Sequence, residues 1–169
     1  MREEEIRPES IFDEYLRLTK IDTKVFFDDA MRETIACPAC GMKGAPAFNK
    51  HGFDYELCIN CDTLFVSPRP VNDAFIRYYS NAPSTEYWAT TFYKATADAR
   101  REKLWKPKAK LIHNITERFG FGNEEVVDIG GGYGIFAEEM LSLFDRKVTI
   151  IEPGLHLAKS CRDRGIDVV

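Results

Sequence analysis

Val126-Val127-Asp128-Ile129-Gly130-Gly131-Gly132-Tyr133-Gly134 is the stretch that decides the fold. Glu125 to Ile129 reads as a short buried strand, and a glycine loop over 130–134 follows it. Beyond the loop, Ile135 to Phe144 has the spacing of a helix and Lys147-Val148-Thr149-Ile150-Ile151 that of a second strand. Leu155 to Arg164 then reads as a second helix with Gly165 past its end, and Ile166-Asp167-Val168-Val169 as the start of a third strand. Strand, loop, helix, strand, helix, strand is the order of one half of a doubly wound parallel sheet, so the expected fold class is α/β with about three parallel strands of a Rossmann-like sheet.

The loop has the form D-x-G-x-G-x-G. Gly130 and Gly132 lack a Cβ, so the chain can turn sharply there and meet a ligand at contact distance, and the helix start beyond the loop offers free N–H groups. Asp128 stands at the carboxyl end of the first strand, where it can accept hydrogen bonds from a cationic group. Glu152 lies twenty positions after Gly132, at the tip of the second strand, where a carboxylate can take both hydroxyls of a ribose. A dinucleotide site would want a third small residue at the position of Ile135, and an anionic pyrophosphate is poorly served by Asp128. A cofactor carrying a sulfonium and an ammonium but no phosphate, S-adenosylmethionine (SAM), suits the acidic residue better. The expected cofactor contacts are Asp128, Gly130, Gly131, Gly132, Gly134 and Glu152.

Outward from the sheet, residues 86–119 read as helical, restarting near Pro107 and ended by Gly120 and Gly122. Asn72 can cap a short helix through Phe75, Ile76 and Tyr79 that Pro83 breaks. Ser67-Pro68-Arg69-Pro70 predicts an extended linker and a boundary. Residues 36–66 lack helical periodicity. Residues 9–30 predict one or two short helices, with Ile11, Tyr15 and Leu18 on one face.

Cys37-Pro38-Ala39-Cys40 and Cys58-Ile59-Asn60-Cys61 give C-x2-C-x17-C-x2-C. Each pair can aim two thiolates at one ion, the spacer has room for a hairpin, and four thiolates close a tetrahedral site with no open position: a structural zinc site formed by Cys37, Cys40, Cys58 and Cys61. Free thiol pairs and an iron–sulfur cluster are the alternatives. His51 is expected in a loop, Cys161 as a small buried hydrophobe, and His113 in a surface or packing role. The expected division is 1–35, an N-terminal helical segment; 36–70, a zinc ribbon; 71–122, a helical linker or cap; and 123–169, a partial SAM-binding domain.

Twenty-three Lys and Arg against 27 Asp and Glu leave a net charge of −4, which argues against nucleic acid as the main partner. No apolar stretch reaches the length of a membrane span, and the acidic start lacks the apolar segment of a signal peptide. With paired cysteines suited to a reducing compartment, this predicts a cytoplasmic protein. Arg100, Arg101, Lys103, Lys106, Lys108 and Lys110 form a basic run, expected as a solvated helix face; contact with a phosphate-bearing substrate is the sharper reading.

Residues 125–169 resemble the first half of class I SAM-dependent methyltransferases. Asp128-Ile129-Gly130-Gly131-Gly132-Tyr133-Gly134 is similar to their first motif and Ile150-Ile151-Glu152-Pro153 to their second. The resemblance implies that the loop contacts the methionine portion of SAM and Glu152 the ribose. Leu57-Cys58-Ile59-Asn60-Cys61-Asp62-Thr63-Leu64-Phe65-Val66-Ser67-Pro68-Arg69-Pro70, followed by Tyr78-Tyr79, resembles the amino-terminal region of bacterial methyltransferases that carry a zinc ribbon ahead of the SAM domain. Many of those are found with sugar and surface-polysaccharide biosynthesis, and some methylate carbon on nucleotide-linked keto sugars. This implies a methyltransferase acting on such a small molecule, with Tyr78, Tyr79 and Tyr87 as cap residues over the cofactor. One departure is Asp62, where the group has Gly. A complete sheet of the family has about seven strands, which leads to the expectation of a fragment, with weak or no turnover in this form, that self-associates through an uncovered sheet edge. A non-enzymatic zinc-ribbon binding module with a remnant half-sheet, a nicotinamide oxidoreductase and a nucleic-acid-modifying enzyme are the rival readings.

Overall fold

The computed structural model describes residues 2–169, a mixture of helix and sheet. The chain divides into two compact units: Leu18–Tyr78, and Tyr79–Val169 together with the segment ending at Arg17.

One helix, α1 (Glu9–Phe27), replaces the one or two expected over 9–30; no Gly or Pro interrupts it before Asp28-Asp29. In the Leu18–Tyr78 unit, β1 (Arg32–Glu33) precedes a three-stranded antiparallel sheet of β2 (Gly44–Lys50), β3 (Phe53–Cys58) and β4 (Leu64–Val66). The β2–β3 hairpin turns at His51-Gly52, both with positive φ (54° and 81°), the two-residue connection whose twist matches that of the strands. Ser67–Pro70 is not the free linker that its prolines predict. The Ser67–Pro68 peptide is cis, and β5 (Arg69–Pro70) pairs antiparallel with β1, with the Arg69 guanidinium 3.1 Å from the Glu33 carboxylate. Proline fits because this ladder is only two residues long. In α2 (Asn72–Asn81), Phe75 and Tyr78 meet Phe27, whose ring centroid lies 5.1 to 5.5 Å from those of Phe75, Tyr78 and Phe53.

In the other unit an unbroken helical stretch runs from Pro83 to Arg118: α3 (Pro83–Tyr87), a π-helical turn (Trp88–Phe92), α4 (Tyr93–Arg100), a second π-helical turn (Arg101–Trp105) and α5 (Lys106–Arg118). Pro107 does not restart the helix: it lies in the continuous stretch just after the π-helical turn Arg101–Trp105. Phe92 is fully buried between Trp88, stacked on it at 4.1 Å, and Phe12 of α1. Next come β6 (Val126–Ile129), α6 (Ile135–Phe144), β7 (Val148–Ile151) and α7 (Leu155–Asp163). The strands β6 and β7 pair in parallel, Val126 with Val148 through Ile129 with Ile151. Val168 bridges Ile150 in parallel on the other side, so β7 lies between β6 and the final residues.

Ala109 of α5, Ala137 and Met140 of α6 and Cys161 of α7 pack with Val148 and Ile150. All three helices thus cover one face of the strands, and a buried side chain the size of Met140 or Ile150 contributes about 1.5–3 kcal/mol. The alternate residues point the other way: Val127, Ile129, Ile151 and Val169 are exposed, Ile129 by 81% and Val169 by 77%. This apolar face of the sheet is bare among the described residues.

Candidate functional site

The glycine loop begins where β6 ends. The Gly130 N–H donates to the Ile151 carbonyl (2.7 Å), which ties the loop to the tip of β7. Gly132 and Gly134 have φ of +59° and +78°, where a side chain is strained. Space forbids side chains as well: a Cβ on Gly134 would stand 2.8 Å from Ile166 Cδ1 and 2.9 Å from Cys161 Sγ, and one on Gly131 2.7 Å from Ile150 Cγ2. Gly130 differs in facing open space. The chain thus needs glycine at 131 for close packing against the strands, at 134 for close packing against Ile166 and Cys161, and at 130 and 132 for the turn.

Glu152 binds this loop. Its Oε2 accepts the Gly132 N–H at 2.9 Å and its Oε1 accepts the Gly154 N–H at 2.7 Å. A carboxylate has about four acceptor sites, so two bonds leave capacity for two hydroxyl groups. Asp128 is half-buried, with Oδ2 near the position a Cβ on Gly131 would take, and burial pushes its carboxyl up from the ordinary value. The structure therefore brings together Asp128, Gly130, Gly131, Gly132, Gly134 and Glu152. Cys161 is fully buried and donates its S–H to the Gly132 carbonyl (3.2 Å); burial raises its pKa.

Tyr78 packs on Phe26 and Phe27 in the Leu18–Tyr78 unit. Tyr79 is exposed at the end of α2, and Tyr87, in α3, is half-buried. The ring beside the loop is Tyr93, which lies parallel to Tyr133 at 5.2 Å and whose hydroxyl comes within 3.4 Å of the position a Cβ on Gly132 would take. Burial raises the Tyr93 phenol, opposed by Arg100 and reinforced by Glu152 and Asp128. The basic run is a solvated face only in part: Lys108 and Lys110 are exposed. Arg101 pairs with Glu138 and Glu139, Lys103 with Glu5 and Lys106 with Glu102, while Lys108 lies over Trp105. His113 packs by stacking on Phe144 at 3.8 Å.

The second constellation is the four cysteines, two buried and two exposed, whose sulfurs all lie within 4.8 Å of one another. Cys40 and Cys58 are 3.4 Å apart, Cys40 and Cys61 3.4 Å, and Cys37 and Cys61 3.7 Å: too long for disulfides, and close to the about 3.8 Å between sulfurs of a tetrahedral zinc–thiolate site. Each pair sits in the same knuckle. The Cys37 N–H donates to the Met42 carbonyl and the Gly41 N–H to the Cys37 carbonyl; the Cys58 N–H donates to the Thr63 carbonyl and the Asp62 N–H to the Cys58 carbonyl. Both knuckles close on a left-handed residue, Gly41 (φ 76°) and Asp62 (φ 55°), so the sequence departure at Asp62 leaves the turn intact. The thiols have unequal proton affinities. Thr63, whose hydroxyl is 3.2 Å away, holds Cys61 down at about 6. Cys40 is pushed up to about 11: the Met42 amide favours its thiolate, but the crowding sulfurs of Cys61 and Cys58 outweigh it. A divalent cation among the sulfurs would relieve that crowding, which is the fit expected of a metal centre.

No family model matches this chain, and no curated protein matches it either.

No described helix is long and apolar enough to cross a membrane. A cavity of about 630 Å³ opens at the opposite end of the strands from the loop, lined by His113, Glu117, Glu125, Arg146 and Asp167 among others.

The purified protein is expected to carry one zinc per chain, released by a mercurial and read with a metallochromic dye, and Cys37→Ser to abolish it and lower the melting temperature; the visible absorption of an iron–sulfur cluster would contradict this. Asp62→Gly is expected to raise the stability of the zinc-loaded protein by up to about 1 kcal/mol, because the left-handed conformation strains any residue with a Cβ. A fall in melting temperature would contradict that account.

Proposed function

We propose that the chain is the zinc-ribbon and cofactor-binding portion of a SAM-dependent methyltransferase, in which the residues after Glu125 form half of a Rossmann-like sheet. The observation that carries the reading is the Glu152 carboxylate bonded to the Gly132 amide, with Asp128 half-buried beside the same loop. An acidic pair at the carboxyl ends of parallel strands suits a cationic nucleoside and repels a pyrophosphate. The chemistry supplied by bound SAM is a methyl group on a positively charged sulfur.

The chain's own residues would divide the binding as follows. Glu152, with its spare lone pairs, would take the ribose hydroxyls and at the same time fix the loop. Asp128 would hold the ammonium group. Gly130, which faces open space, would allow close approach of the ligand to the backbone. Positioning of donor and acceptor in a dry pocket supplies most of the rate in such a transfer. The acceptor class, a nucleotide-linked sugar or surface-polysaccharide precursor, rests on the resemblance of residues 57–70, and the zinc centre would be structural because four thiolates leave no open position. Parallel strands ordinarily have both faces covered. The bare face at Val127, Ile129, Ile151 and Val169 makes cofactor binding, rather than turnover, the property to measure on these 169 residues.

Calorimetric titration of the zinc-loaded protein is expected to give one site for SAM and no heat for NAD; NAD binding at the same site, or no SAM binding, would contradict the reading. The SAM affinity is expected to depend on pH through Asp128. Its raised pKa means that burial opposes the carboxylate in the free site, while a bound cation favours it. Affinity is therefore full above that pKa and falls as the pH drops through it. Asp128→Asn is expected to remove this acid limb.

A further inference from the structure

The four cysteines of the ribbon are not equally accessible. Cys37 and Cys58 are 2% and 1% exposed and pack with Phe65 and Ile35, whereas Cys40 and Cys61 are exposed. Each knuckle therefore gives one cysteine to the interior of its unit and one to the surface. The sulfur–sulfur contacts of 3.7 Å from Cys37 to Cys61, 3.4 Å from Cys40 to Cys58 and 3.4 Å from Cys40 to Cys61 all join one knuckle to the other. Of these three, the Cys40–Cys61 contact is the one that joins two exposed residues.

The backbone sets the same division. Cys58 ends β3, and its sulfur also accepts the Asn60 N–H at 3.4 Å. Cys40 and Cys61 lie outside the strands, in the turns, each immediately before the left-handed residue that closes its knuckle, Gly41 or Asp62. Metal ligation requires every one of the four sulfurs to be a thiolate. Oxidation of cysteine follows thiolate character and exposure together. With thiolate character shared by all four, exposure decides which sulfurs a small oxidant meets, and the two it meets are already in contact.

We propose that Cys40 and Cys61 are a site of oxidative modification by hydroperoxides, which links the two knuckles by a disulfide and discharges the metal centre. The thiolate of one of the pair attacks a peroxide oxygen; the O–O bond breaks, a sulfenic acid forms and hydroxide leaves. The thiolate of the other attacks the sulfenic sulfur, forming the S–S bond and releasing a second hydroxide. The two sulfurs together lose two electrons and the peroxide gains them. Cys37 and Cys58 remain reduced, and two thiolates do not close a four-coordinate site. The proposal rests on the zinc reading of the cysteine cluster and is independent of the SAM reading.

The test is titration of the zinc-loaded wild-type chain with hydrogen peroxide. Free zinc is followed with a metallochromic dye, and the cysteines are mapped by fragmentation mass spectrometry after the remaining thiols are alkylated. One zinc is expected to be released for each peroxide consumed, with Cys40 joined to Cys61 and with Cys37, Cys58 and Cys161 alkylated. Reduction by a phosphine in the presence of added zinc is expected to restore the loaded centre. A disulfide within either knuckle, one that includes Cys37, Cys58 or Cys161, sulfinic acids in place of a disulfide, or zinc retained while peroxide is consumed, overturns the proposal and leaves the zinc centre standing. A purified chain that binds no zinc overturns both.

Discussion

The carboxylate of Glu152 holds two backbone amides at once, those of Gly132 and Gly154. One side chain at the end of β7 thereby fixes both the glycine loop after β6 and the start of α7. The loop could not hold its shape by its own packing, since Gly130 and Gly132 have no side chains and their left-handed conformations are set by the turn. Hydrogen bonds from neutral amides to a charged acceptor are stronger than amide–carbonyl bonds. The acceptor is also a chemical group that a nucleoside sugar can use, so the interaction that builds the site is the interaction that would recognise its ligand.

A similar economy governs the cysteine centre. Four thiols within 4.8 Å cannot all ionise unless a cation sits among them, and the two ends of the cluster differ widely in proton affinity. The protein fixes the geometry with two knuckles of identical backbone pattern, each closed by a left-handed residue, in which a bound cation would balance the charge. The Leu18–Tyr78 unit has a second cluster, the rings around Phe27.

What could be read in the sequence is what short-range chemistry specifies. The glycine spacing at 130–134, the cysteine pairs and the parallel order of β6 and β7 follow from local pattern, and Glu152 from its place at a strand tip. Features that depend on distant partners could not be read. Arg69–Pro70 is paired with Arg32–Glu33 more than thirty residues away, so the prolines suggest a linker where a ladder forms. The basic run looks solvated until Glu5, Glu138 and Glu139 appear opposite it. Tyr78, Tyr79 and Tyr87 are what the family resemblance implies as cap residues, while Tyr93, whose hydroxyl reaches the loop, carries no local mark.

Amide hydrogen exchange with and without SAM addresses the central claim most directly. The account predicts ligand-dependent protection concentrated in residues 130–134 and 152–154, with little change in the Leu18–Tyr78 unit once zinc is bound. Unchanged exchange at Gly132 and Gly154 under saturating SAM would contradict it.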